Sequence, residues 1–179
     1  ADWNEDWVEI VLACYKKLTI HRIKLNLLKE HSLNEGICLL GSLAEDLATR
    51  IKPDEIELNL DNGCPRELLL RVAEVASKIF IHELGTTEEV EIWALLILEM
   101  LSKRCRMLVI DGNIKLNAAG ADHFVREITS LEKHIIFSIR VEGFEEIKFK
   151  SGKFNVIVQN YVNNQGETKT WLCIRHEEI

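Results

Sequence analysis

The sequence predicts an α+β fold: a mainly helical region over residues 1–134, about five helices with an internal β-hairpin at 107–117, then a C-terminal antiparallel β-meander of three to four strands over 135–179. Three observations predict it. Apolar residues recur at helical spacing through most of the first hundred positions, Asp111-Gly112-Asn113 interrupts that rhythm with hairpin chemistry, and from Ile135 onward the period is two. The two regions read as a helical domain and a sheet packed on it, with a single domain as the alternative.

Trp3, Trp7, Ile10, Cys14, Leu18, Leu25 and Leu28 keep helical spacing with no Pro or Gly before Gly36, which predicts one long helix or two abutting ones. Ser32-Leu-Asn-Glu35 is a capping box for a second helix carrying Ile37, Leu40, Ala44, Leu47 and Ile51, ended at Lys52-Pro53. Residues 54–62 alternate apolar and polar, as a short edge strand or an irregular loop does. A third helix is expected between Pro65 and Gly85, with Leu68, Leu69, Val72, Ala76, Ile79 and Phe80 as its apolar stripe.

Thr86 with Glu89 caps a fourth helix, apolar around much of its circumference, with Trp93 in its core face and Lys103, Arg104 and Arg106 at its negative end. Met107 to Ile110 and Ile114 to Leu116 flank the Asp-Gly-Asn turn as a hairpin. Phe124, Ile128, Leu131 and Ile135 predict a fifth helix from about Ala119 to His134. Alternation at 135–141, 147–149 and 154–158 and the apolar run 171–174 predict strands, separated by turns at Glu142-Gly143, Ser151-Gly152 and Asn163 to Gly166.

Composition bounds the function classes. A chain of 179 residues, 47% hydrophobic, with two prolines and nine glycines buries an ordinary core without staples. Five scattered cysteines with no Cys-x-x-Cys pair fit reduced thiols and an intracellular compartment, cytoplasmic or nuclear. Asp2, Glu5 and Asp6 stand where a signal peptide carries basic residues. The longest apolar run lies between Glu91 and Glu99, far short of the roughly 20 residues that span a bilayer. A net charge of −7 disfavours unspecific attraction to phosphate.

Candidate sites are few. Lys16, Lys17, Arg22, Lys24 and Lys29 form a cation cluster with no acid between its ends, and Lys17, His21 and Lys24 share one helical face that suits an acidic partner. Trp3 and Trp7, one turn apart, are aromatic anchors for a protein contact or for the chain's own core. His123, Glu127 and His134 fall on one stripe of the fifth helix, but the histidines stand about 16 Å apart along its axis, too far for one ion. Cys105 among Lys103, Arg104 and Arg106 reads as a structural thiol near a helix end.

Two resemblances follow. The order helix, helix, hairpin, helix across 65–134, with Met107 to Gly120 as the wing, resembles the winged-helix family and implies nucleic-acid binding. Glu88, Glu89 and Glu91 on the reading helix, and a hairpin tip without a cation, oppose that use. Asp111 after Leu-Val-Ile, with Glu146-Ile-Lys148, resembles the acid and Glu-x-Lys pattern of metal-dependent restriction-type nucleases, which implies two carboxylates on Mg²⁺ and a lysine at the scissile phosphate. The reading preferred over both is a non-catalytic protein-interaction or regulatory domain without a cofactor, binding another protein or a second copy through Lys16, Lys17, His21, Arg22, Lys24, Trp3 and Trp7, or through the edges of the C-terminal sheet, which can accept an added strand.

Overall fold

The computed structural model describes residues 21–27, 53–60, 66–82, 90–114 and 118–178. They form eight strands and three helices: β1 (Arg22–Leu27), β2 (Glu55–Leu60), α1 (Arg66–Val75), β3 (Lys78–His82), α2 (Val90–Ser102), β4 (Met107–Ile114), α3 (Ala118–Thr129), β5 (Ile136–Val141), β6 (Ile147–Ser151), β7 (Phe154–Val162) and β8 (Thr168–His176). All eight strands join one sheet in the order β1-β2-β3-β4-β5-β8-β7-β6. The first five pair in parallel with their sequence neighbours, and β5 meets β8 antiparallel.

This corrects the mainly helical expectation. Arg22–Leu27 is a strand and not the continuation of a first helix, because Ile23, Leu25 and Leu27 alternate with polar residues as well as fitting a helical stripe. Residues 55–60 are an interior strand between β1 and β3, neither edge nor loop. The third helix stops at Val75, and Ile79 and Phe80, expected on its stripe, belong to β3. The hairpin expected at 107–117 is overturned over its described part: Met107–Ile114 runs as a single strand, parallel to β3 and β5, and Asp111-Gly112-Asn113 sits inside it at a register shift between Ile110 and Ile114. The wing that carried the winged-helix likeness is therefore not there. The fifth helix ends at Thr129, short of His134. The helices expected over 3–20 and 32–51 lie outside the described residues.

The reason for a one-sided architecture is topological. Strands laid down in sequence order, each reached by a helical crossover in the same direction, put their helices on one face when the crossovers share a hand. Leu68, Leu69 and Val72 of α1, Leu96, Ile97, Met100 and Leu101 of α2, and Phe124, Val125 and Ile128 of α3 accordingly join a single core with Ile56, Leu58, Ile79, Ile81, Leu108, Ile110, Phe137 and Ile139. That core continues into Val156, Val158, Leu172 and Ile174, so the sheet and its interior run without interruption past residue 134.

The C-terminal strands were expected as strands, and they are. The order differs from a simple meander: β6, β7 and β8 form one, but β8, not β6, lies beside β5. Their turns follow the predicted chemistry, with Gly143, Gly152 and Gly166 at positive φ. Asn163 Oδ1 closes the last turn by accepting the amides of Gln165 and Glu167, both at 2.9 Å.

Candidate functional site

Residues pointing away from the helices line up across the sheet. One row reads Lys24, Glu57, Phe80, Val109, Ser138, Cys173, Ile157 and Lys148, each in register with the next. Charges gather at its ends and apolar groups in its middle.

At the β1 end Glu57, buried at 8% exposure, accepts from Arg22 Nη2 and Lys24 Nζ, each at 2.6 Å, and lies 3.2 Å from His82 Nε2. The Lys24 and Arg22 hydrogen bonds hold its carboxyl down at about 2, well below the ordinary 4.5. Arg22 also meets Glu55 at 2.9 Å, and its own pKa is raised, chiefly by the bond to Glu57. His21 faces Asp54 at 3.6 Å, with both side chains exposed.

Only part of the cation cluster read from the sequence falls within the described residues. His21, Arg22 and Lys24 come together at the start of β1 and beside acids of β2, while Lys16, Lys17, Trp3 and Trp7 lie outside the described residues, as do Lys29 and the acids at 88 and 89. Because the lowered pKa means that folding favours the ionised carboxylate, the Glu57 contribution is present above about 4.5 and lost as pH falls towards 2. Glu57→Gln should therefore cost about 1 kcal/mol at neutral pH, since its cations stand in solvent, and nothing near pH 2. Denaturant titrations of both proteins at several pH values measure the difference; a gap that widens on acidification contradicts this account.

A second knot sits at the far end of β4. Asp111 meets Arg140 Nη1 at 3.1 Å and Lys169 Nζ at 3.6 Å. Beside it an open cleft of about 410 Å³ is lined by Arg140, Val141, Glu142, Glu167, Lys169 and Thr170, whose mixed signs give no net pull on an anion. Glu146 is elsewhere, accepting the Asn160 amide at 3.0 Å, and Lys148 is on β6. Three strands separate β4 from β6, a span of about 19 Å at ordinary strand spacing, so the structure does not bring Asp111, Glu146 and Lys148 to one metal.

Cys105 is buried, and burial pushes its thiol up to about 12, the opposite of an activated nucleophile. His123 lies 4.0 Å from Glu127 on α3, whereas His134 has left that helix and faces Glu178 at 3.5 Å.

Sequence reasoning read β6 as a strand and named the edges of the C-terminal sheet as a surface for an added strand, without saying which strand is the edge. The β6 residues Ile147, Lys148, Phe149 and Lys150 are all exposed, and β6 is the last strand in the sheet order. Ile147 and Phe149 lie in register with buried Val158 and Val156 of β7, while the two lysines stand on the opposite face. The alternation was legible as a strand; its edge position was not. The described helices are not long and apolar enough to cross a membrane. Comparison with protein-family models, with curated proteins and with solved structures finds no match for this chain.

Proposed function

We propose that the chain is a non-catalytic protein-interaction domain that takes an extended acidic segment of a partner protein as an added strand along β6. The observation that carries this reading is the edge itself: Ile147 and Phe149, 52% and 38% exposed, alternate with lysines on a strand that pairs only with β7 among the described residues. An edge strand offers unpaired backbone donors and acceptors, and its alternate side chains choose what pairs there.

Lysines on an edge also discourage indiscriminate pairing. Two β6 strands laid antiparallel around Phe149 would set Lys148 against Lys150 of the other copy, so self-pairing is penalised. A segment alternating Asp or Glu with apolar residues meets both faces: an acid beside Lys148, apolar groups against Ile147 and Phe149. At the β1 end both Arg22 and Lys24 are engaged by Glu55 and Glu57, whereas on β6, among the described residues, only Lys150 is engaged, by Glu177, which leaves Lys148 to face a partner's acid. Cys105 and Cys173, both free thiols, accord with an intracellular setting.

A short peptide alternating Glu and Val, titrated into isotopically labelled protein, should shift the amides of residues 146–151, and more weakly at high salt. Lys148→Glu should abolish the shifts without unfolding the chain. Shifts centred on β1, or no saturable shift at millimolar peptide, would sink the reading.

A further inference from the structure

We propose that His134, His176 and Glu178 form a binding site for a divalent transition-metal ion of the zinc class, which ties the end of β8 to the start of β5. The site uses none of the β6 side chains, although Glu177, between two of its donors, meets Lys150 of that strand.

The backbone brings the three together. His134 lies just before β5, His176 is the last residue of β8, and Glu178 follows in the adjoining turn. Antiparallel pairing sets Ile136 opposite Arg175, and the His176 amide donates to the Ile135 carbonyl at 3.1 Å. The ladder holds His176, while His134 and Glu178 extend from its ends on the segment before β5 and the turn after β8.

Within that frame one donor atom from each residue lies within 4.8 Å of the other two, and His134 Nε2 stands 3.5 Å from Glu178 Oε2. Tetrahedral zinc with nitrogen and oxygen ligands at about 2.0–2.2 Å places neighbouring ligand atoms about 3.3–3.5 Å apart. One edge of that tetrahedron already exists. The remaining contraction falls on His134 and Glu178, whose side chains are exposed and free to rotate.

His176 supplies the fixed vertex. Its ring is 4% exposed, stands edge-on to Phe154 at 5.1 Å, and lies 4.2 Å from the His134 ring, centroid to centroid. The bond from the Glu178 amide to its Nδ1 is long, 3.3 Å, and yields to a cation at little cost. An ion pair needs only His134 and Glu178; a buried partner such as His176 within reach of both makes a ligand set. Two imidazoles and one carboxylate select zinc, cobalt or nickel over magnesium or calcium, which favour all-oxygen sites. Three protein ligands leave a fourth position for water or a partner's side chain.

Zinc chloride and cobalt chloride, titrated into chelator-treated full-length chain, test the proposal. One ion per chain should bind with a rise in Tm, and Co²⁺ should develop the visible absorption of a four-coordinate nitrogen and oxygen site. His134→Ala and Glu178→Ala should each weaken binding at least tenfold while leaving the metal-free Tm close to that of the parent, and His123→Ala should bind as the parent does. No uptake at about 100 µM Zn²⁺, where even a weak specific site stabilises by mass action, overturns the proposal. So does uptake that both variants retain, or uptake of Mg²⁺ with equal affinity.

Discussion

Phe137→Ala is expected to lower the free energy of unfolding by about 3–5 kcal/mol, the range for removing a fully buried aromatic ring. Phe137 is wholly buried on β5 and meets Phe124 of α3 edge-on, with ring centroids 5.3 Å apart. β5 is the strand at which the sheet changes from parallel to antiparallel pairing. A cavity there is felt by the helical layer and by β8 together, and neither can collapse into it without breaking its ladder. Urea titration gives the loss, and Phe149→Ala, on the exposed edge, should shift stability by no more than about 0.5 kcal/mol. A loss at Phe137 below about 1.5 kcal/mol would mean that the site relaxes and the core is not close-packed. Because the core is continuous, secondary and tertiary signals should also unfold in one coincident transition.

Lys133→Met is expected to cost about 2 kcal/mol, from the loss of a charged donor serving several partly buried acceptors. The Lys133 ammonium donates to the carbonyls of Leu101, at 2.7 Å, of Cys105, at 3.2 Å, and of Lys103. These carbonyls belong to the end of α2 and the chain leaving it, where helical carbonyls lack intrahelical donors and the helix dipole is negative. Glu132, at a φ of 46°, reverses the backbone immediately before Lys133. Burial, with Arg106 nearby, lowers the lysine's pKa. Amide exchange should accelerate at the end of α2 in the variant, before any change in β6 or β7. Unaltered stability would mean that water serves these carbonyls as well as the lysine does.

Legibility in the sequence followed the number of signals at each position. The C-terminal strands were plain because alternation, β-branched residues and glycine turns agree there, and Gly143, Gly152 and Gly166 do adopt positive φ. Two of the parallel strands, β1 and β3, were not. Ile23 with Leu25, and Ile79 with Phe80, fit a helical stripe and a strand equally well over five or six residues, and a parallel strand has no hairpin to announce it. One signal was available: Arg-Ile-Lys-Leu-Asn-Leu at 22–27 returns as Glu-Ile-Glu-Leu-Asn-Leu at 55–60, the two lying in register as β1 and β2. A repeated strand motif every 20–50 residues marks stacked units. Asp111-Gly112-Asn113 misled because turn residues also suit a register shift inside a strand.

The sequence by itself determined the alternation and the turns of the C-terminal strands and the absence of a common catalytic motif, since each depends on residues a few positions apart. Only the tertiary structure decided which strands are interior and which is an edge, that Arg22 and Lys24 spend their charge on Glu57, and that His134 meets His176 and Glu178. Those are contacts between residues 33 to 44 positions apart, formed by strand pairing, and hydrogen-bonded register rather than local preference selects them.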